Sequence, residues 1–263
     1  DPGCCSGDIV IDPSITTLAD NAFEVCSGLT SVEMSHITSV GDKAFFNCSG
    51  LTTVSLPLAT VVGTSAFEYC SSLISVNMPT ASSVGGKAFQ HCSSLSSVHM
   101  SEVTSVGQYS FKHCSSLTNV SMPNLLAVGS GSFHGCFSLV RVHMPLVTEV
   151  TYNGFNSCSS LVNAVMPLVT SVGTYAFKDC SSLVHVHMPL VITVGIGSFQ
   201  TCPSLTSFNI LGHMILPTSL TSIGDRAFYQ CTGLRGDLVI PSSVTSVGDQ
   251  AFYQCTGFFS TPV

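Results

Sequence analysis

Apolar residues recur along this chain with a period of 22 residues, and the same residue types return in almost every copy. The copy at 183–204 reads L-x-x-V-x-M-P-x-V-x-x-V-G-x-x-S-F-x-x-C. Its Val and Met positions alternate with polar positions, which predicts a half-buried β-strand with the apolar side chains inward. A fixed period over so many copies predicts stacked units that bury their apolar residues against one another.

Cysteine, phenylalanine and leucine keep the same period. A phenylalanine lies three residues before each in-register cysteine, and a leucine lies three residues after it. Because the A-F-x-x-C step spaces apolar residues about one helical turn apart, we predict a short helical or 3₁₀ turn there. In most copies a proline follows the methionine and ends the strand. The recurrent glycine, as at Gly85, supplies a backbone turn that a side chain would obstruct.

These features predict a leucine-rich-repeat-like solenoid, mainly β with short helical or 3₁₀ turns, of about eleven stacked rungs of 22–24 residues. We expect one solenoid domain over 1–263. Its N-terminal rung is 1–25, its regular repeats are 26–207, and 208–263 holds a loop insertion and longer repeats, truncated at the C-terminus. The spacing from Cys202 to Cys231 stretches to 29 residues, which predicts a bulging loop near Gly212 and His213.

The repeat, with its phenylalanine, glycine and cysteine columns, resembles the BspA-type leucine-rich repeats of bacterial and protist surface proteins. The resemblance covers the chain apart from a short N-terminal segment. It implies a secreted or cell-surface recognition or adhesion module that binds a protein or glycan on the concave face of its strands. Catalysis is not expected, because no single repeat gains a carboxylate pair or a nucleophile with its base.

The charge balance narrows the choice of partners. Only 8% of the residues are charged, against about 25% in an ordinary soluble domain, and the net charge is −7. The chain therefore lacks a stripe of basic residues that could bind a phosphate backbone, and nucleic acid is not an expected partner. No run of 18 apolar residues occurs, so no membrane span is expected. We interpret the chain as a mature or excised piece of a secreted or surface protein.

Columns that vary between aligned repeats mark the surface, and two of them lie on the outward strand face. They hold a small cationic patch on an acidic protein, and we take its members as candidate ligand-binding residues: His99, Arg141, His143, His185 and His187. The alternative is that these are solvated side chains in unconstrained columns. His143 and His187 lie two rungs apart, about 10 Å, which is too far to share one metal ion. We predict no metal and no cofactor.

The cysteines allow two interpretations. The first is a ladder of buried free thiols, each a small apolar group beside its phenylalanine. The second is disulfides between successive rungs, but in-register side chains suit the bridge torsion badly. The first is favoured. Cys4 and Cys5 stand apart from the ladder, where a terminal disulfide clip is a minority interpretation.

Asn47 and Asn119 each begin an N-x-S sequon, which makes them candidates for N-glycosylation.

The two ends of the solenoid suggest an alternative function. Ile9, Val10 and Ile11 form an apolar strand near the start, and Phe258 and Phe259 form an apolar edge near the end. Because the last rung of a solenoid exposes unpaired strand groups and core side chains, these ends could meet in successive copies. Such a head-to-tail contact propagates into a filament. The alternative is therefore a self-assembling structural subunit of an extracellular filament, with copies of itself as partners.

Overall fold

In the computed structural model, which describes residues 6–210 and 212–258, the chain coils into about eleven rungs. Most rungs contribute a longer strand, a bend, a two-residue strand and a return segment that ends at the cysteine. Strands of successive rungs pair side by side and form two sheets of eleven strands each. The described residues contain no helix. The predicted solenoid is confirmed.

The strands alternate between the two sheets along the chain. Sheet A contains β1 (Ser6–Val10), β3 (Gly28–Glu33), β5 (Thr53–Ser55), β7 (Ser75–Asn77), β9 (Ser97–His99), β11 (Asn119–Ser121), β13 (Arg141–His143), β15 (Asn163–Val165), β17 (His185–His187), β19 (Ser207–Ile210) and β20 (His213–Met214). Sheet B contains β2 (Thr17–Leu18), β4 (Ser39–Val40), β6 (Val61–Val62), β8 (Ser83–Val84), β10 (Ser105–Val106), β12 (Ala127–Val128), β14 (Glu149–Val150), β16 (Ser171–Val172), β18 (Thr193–Val194), β21 (Ser222–Ile223) and β22 (Ser246–Val247).

The 22-residue period sets the pairing register. In β5 and β7, Val54 pairs with Val76, so residues of one column stack directly on one another. The exception lies where the period stretches, because β19 and β20 pair antiparallel as a hairpin. This hairpin is the predicted insertion near Gly212 and His213. Sheet B passes the insertion without a break, since Thr193 of β18 pairs directly with Ser222 of β21.

The core runs the length of the rungs as a stack of phenylalanine rings. Each ring lies nearly parallel to the next, with centroids 5.1–5.4 Å apart. The stack contains Phe23, Phe45, Phe67, Phe89, Phe111, Phe133, Phe155, Phe177, Phe199, Phe228 and Phe252. The inward Val, Met and Leu columns pack around it, as the alternation predicts.

The return segments differ from the predicted helical or 3₁₀ turns. Amides close turns over three residues, as when Cys48 N donates to Phe45 O at 3.2 Å. Two residues per segment have positive φ, 53° at Lys43 and 57° at Asn47, and a left-handed residue interrupts a right-handed helix. The amide of Phe45 instead donates to Ala66 O of the next rung at 2.7 Å. The segments therefore pair between rungs as the strands do.

The glycine column is confirmed, and close packing accounts for it. A Cβ on Gly85 would lie 2.5 Å from the backbone carbonyl carbon of Gly63 in the preceding rung. The φ of Gly85 is not in the left-handed region, so the glycine is required by proximity to the neighbouring backbone.

The cysteine ladder consists largely of free thiols, as favoured by the sequence analysis. Ten cysteines from Cys48 to Cys255 are free, and nine of these are fully buried. Cys26 is the exception, because it takes part in a disulfide bond. None of the described rungs from Cys48 onward is joined to its neighbour by a disulfide. Cys4 and Cys5 lie outside the described residues.

Candidate functional site

The outward side chains of sheet A from β5 to β19 form a surface that we name the strand face. Its inward neighbours are buried, as at Val54 and Val120, which forces the flanking residues of each strand outward. No outward position from β5 to β19 carries a carboxylate, whereas Asp8 and Glu33 lie at the N-terminal end of the same sheet. The strand face is therefore neutral to cationic over its middle rungs on an acidic protein.

Three predicted ligand-binding residues are exposed on the strand face. Arg141 and His143 flank inward Val142 in β13, and His99 occupies the corresponding outward position of β9. Ser121 of β11 pairs with His143 and lies between the rungs of His99 and His143. Each of these three side chains is free to contact a partner.

The other two predicted residues are held by the protein itself. His185 of β17 is buried, with Nδ1 2.9 Å from Ser207 Oγ, and burial together with the charge of His187 lowers the pKa of its ring. His187 is half-buried, and its Nδ1–H donates to Asn209 O at 3.1 Å. Asn163 separates Arg141 from His185 in the sheet. The predicted patch is thus divided into an exposed part at β13 and a fixed part at β17.

The two sequons lie in different surroundings. Asn119 is exposed at the start of β11, and its amide Nδ2 donates to Thr118 Oγ1 at 3.2 Å. Asn47 is half-buried in a return segment, and its backbone amide donates to Glu68 O of the next rung at 2.7 Å. Glycosylation at either position stays a prediction.

The predicted assembly residues also differ from one another. In β1 and the residue after it, Ile9 and Ile11 contact the core, whereas Val10 is 73% exposed. Phe258 is half-buried, with its ring 6.1 Å from that of Phe252, and it forms a bridge with Gly236. Phe259 lies outside the described residues.

Sequence reasoning missed the return segments as a surface. Tyr69, His91 and His113 occupy the position before the cysteine in three successive rungs, and their rings stack on one another. The signal was available in the sequence, because this column contains aromatic or histidine residues only in these rungs.

Residues 6–210 and 212–258 contain no group of three or more His, Cys, Asp or Glu side chains placed to hold one metal ion. Over the same residues, the structure has no helix that could span a membrane.

A stack of strand-bearing rungs around a continuous apolar core, with variable outward columns, defines a leucine-rich repeat solenoid, a fold that is typically non-enzymatic. The family described as BspA type leucine rich repeat region matches residues 3–118, 38–162, 104–215 and 211–260. The chain belongs to this family, and membership indicates a general role in protein binding or adhesion.

Solved structures agree with this assignment. A leucine rich cell surface protein from Faecalibacterium prausnitzii is similar at 25% identity and a TM-score of 0.56, over 96% of this chain and 86% of that chain. A leucine-rich repeat protein from Bacteroides ovatus is similar at 22% identity and a TM-score of 0.54, over 95% and 76% of the chains. The pneumococcal vaccine antigen PcpA is similar at 18% identity and a TM-score of 0.58, over 94% and 69%. Among curated proteins, none matches significantly.

Proposed function

We propose that this chain is a non-enzymatic, secreted or cell-surface recognition module that binds a protein or glycan on the strand face. Residues 1–263 would act as one solenoid domain. The pairing of strands between almost all successive rungs supports this. The family and the similarity to a leucine rich cell surface protein support the location. No cofactor is required for such a role.

The observation that carries the proposal is the contrast between the two sides of sheet A. Inward positions repeat Val, Met or Leu with little change, whereas outward positions range over Ser, Thr, Asn, Arg, His and Val. A surface that varies on a regular scaffold is the usual place for recognition on a solenoid. Arg141 and His143 present exposed donors at its middle, with no carboxylate on the neighbouring outward positions to compete for them.

The proposal is tested by screening the purified chain against a printed glycan array and an array of extracellular proteins. The strand-face variant is Arg141→Glu with His143→Glu. The matched control is Ser105→Glu with Ala127→Glu, which places the same charges on exposed positions of sheet B. We expect at least one ligand that the control variant binds and the strand-face variant does not. Ligands lost equally from both variants, or from neither, would contradict a site on the strand face.

A second candidate, the filament subunit, is supported by the two ends of the stack. Within the described residues, β1 pairs only with β3 and its outer edge has no partner. An apolar groove of about 420 Å³ lies there, lined by Ile9, Val10, Ile11, Ile15, Leu18 and Phe23 among others. At the other end, a groove of about 450 Å³ contains Ile215 and Val239, and Val239 is 68% exposed.

Sizing across a concentration series, with negative-stain images of the heavy fractions, tests this candidate. The end variant is Val10→Asp with Val239→Asp, since a charge without a partner in an apolar contact is costly. Phe258 is left unchanged because it packs on the core of its own chain, so its substitution would also destabilise the fold. The control is Val165→Asp, because Val165 lies in the middle of the strand face and its side chain is 46% exposed. Rods that elongate for the wild type and control but not for the end variant would support assembly.

A further inference from the structure

The return segments of the middle rungs carry a second unusual surface. Residues 85–92, 107–114, 129–136 and 151–158 contain no Asp or Glu, although the whole chain has a net charge of −7. Five of the seven Lys and Arg residues lie on return segments, at Lys43, Lys87, Lys112, Lys178 and Arg226. The histidine edge is defined here as the group Lys87, His91, Tyr109, Lys112, His113 and His134.

A row of rings begins at Tyr69 and continues through His91, His113 and His134 of the histidine edge across successive rungs. The centroids of Tyr69 and His91 are 4.8 Å apart with an angle of 4° between the rings. His91 and His113 follow at 4.9 Å, and His113 and His134 at 5.3 Å in an edge-on arrangement. The row therefore repeats a similar group about every 5 Å along the stack, close to the spacing of neighbouring strands.

The lysines of the histidine edge have no carboxylate partner. Among the residues that the structure describes, the only ion pair joins Lys178 and Asp179 at 3.9 Å. Lys112 Nζ lies 5.0 Å from the ring centroid of Tyr109, and Lys87 is exposed. Glu68 of the preceding rung is buried. The positive charges on this edge are thus available to an external anion.

The histidines add charge only when the medium turns acidic. Partial burial, and then the charge of Lys112, lowers the pKa of His91, with Glu68 acting in the opposite direction. Burial lowers the pKa of His113, with further contributions from His91 and Lys112. Burial lowers the pKa of His134 to about 4, and its Nδ1 has no hydrogen-bond partner. These rings therefore gain protons only at a lower pH than an ordinary histidine does, and His91 and His113 gain them before His134.

We propose that the histidine edge is a second binding surface, separate from the strand face, for an extended sulfated polysaccharide lying along the stack. Sulfate half-esters stay ionised at the acidic pH at which these histidines gain protons, so the attraction grows as the pH falls. Single-stranded nucleic acid fits less well, because it needs open aromatic faces for base stacking. Here Tyr69 faces His91, and the ring of Tyr109 lies against the backbone of Gly131.

The test measures binding of the whole chain to a fluorescent heparin oligosaccharide at constant ionic strength, at about pH 4.5 and about pH 7.5, because the pKa values of His91 and His113 are lowered. We expect at least about tenfold tighter binding at the lower pH. Lys87→Gln with Lys112→Gln should weaken binding at both pH values by about tenfold. His91→Gln with His113→Gln should keep the binding at the higher pH and abolish the increase. Lys178→Gln is the matched control, because it occupies the same column as Lys112 and its charge is already paired.

Hydrogen exchange with and without the oligosaccharide gives a measurement that needs no variant, and protection should fall on 107–114 and not on 141–143. A desulfated oligosaccharide should not bind. Equal binding of single-stranded DNA, unchanged affinity in the double lysine variant, or equal loss in the Lys178 control would each overturn the proposal. If only Arg141→Gln loses binding of the oligosaccharide, the anion binds on the strand face. That result would overturn the second surface but would not contradict the proposed function.

Discussion

Cys114 Sγ donates a hydrogen bond to Phe89 O of the preceding rung at 3.1 Å. The same carbonyl also accepts the amide of Cys92 at 3.2 Å, so it is bonded both within its rung and to the next. The thiol bond recurs at 3.0–3.1 Å from Cys48, Cys70, Cys92, Cys136, Cys158, Cys180, Cys202, Cys231 and Cys255. Each cysteine is therefore a small apolar group and also a donor that ties successive rungs together.

Buried neutral thiols should react slowly in the native protein. Only the thiolate is nucleophilic, and burial raises the pKa of the Cys136 thiol to about 12. We expect an alkylating reagent to label the ten thiols from Cys48 to Cys255 in denaturant without reductant, and to leave Cys26 unlabelled. Without denaturant, labelling should be slow. Mass spectrometry that found Cys92 bridged to Cys114 would contradict the thiol ladder.

The same thiols should make the fold sensitive to alkali. Burial raises the pKa of nine of them in the folded state: Cys70, Cys92, Cys114, Cys136, Cys158, Cys180, Cys202, Cys231 and Cys255. Their stabilisation is complete below the unfolded-state pKa of about 8.5 and is lost as the pH rises toward the folded-state value.

Urea unfolding at a series of pH values measures this effect. Above about pH 8.5, each such thiol should lower the free energy of unfolding by about 1.4 kcal/mol per pH unit. Cys136→Ala should make the slope shallower by one such increment. A stability that is flat up to about pH 10 would show that the thiols are not buried as neutral groups.

Emptying one position of the phenylalanine stack should be costly. Phe111 is fully buried between Phe89 and Phe133, at centroid distances of 5.2 and 5.4 Å. Phe111→Ala should reduce the free energy of unfolding by about 3–5 kcal/mol in urea titration. Tyr152→Ala is the control, because Tyr152 is 47% exposed, and it should cost less than about 1 kcal/mol. Similar losses from both variants would argue against the stack as the main source of stability.

The position before each stacked phenylalanine is often alanine, and replacing a buried serine there by alanine should stabilise the fold. Ser198 is fully buried and its Oγ has no hydrogen-bond partner, whereas Ala176 and Ala227 fill the same column in the neighbouring rungs. Ser198→Ala should therefore stabilise the fold by about 1 kcal/mol, which thermal unfolding would detect. Ser132→Ala is the control, since Ser132 Oγ donates to Gly129 O, and it should not stabilise.

Two adjacent glycines should respond differently to a methyl group. Gly85→Ala should destabilise by about 1–3 kcal/mol, because the new Cβ meets the backbone of the preceding rung. At Gly86 the new Cβ would lie 3.4 Å from Gln108 O, and Gly86→Ala should change stability by less than about 1 kcal/mol in either direction. Equal effects in chemical denaturation would refute close packing as the reason for the glycine column.

The sequence by itself determined the stack. A strict 22-residue period leaves one way to bury Phe111, Val120 and their equivalents together, which is rung on rung, because each residue then lies beside its counterpart in the next copy. The strand alternation, the glycine column and the insertion near Gly212 followed from the same period. Only the tertiary structure decided how different columns of neighbouring rungs meet. The path of the return segment turns on left-handed residues such as Lys43, and that path brings Cys114 Sγ to Phe89 O. The burial of His185 against Ser207, its counterpart in the next rung, was also decided by the tertiary structure, because the period pairs the two residues but does not specify how exposed an outward position is.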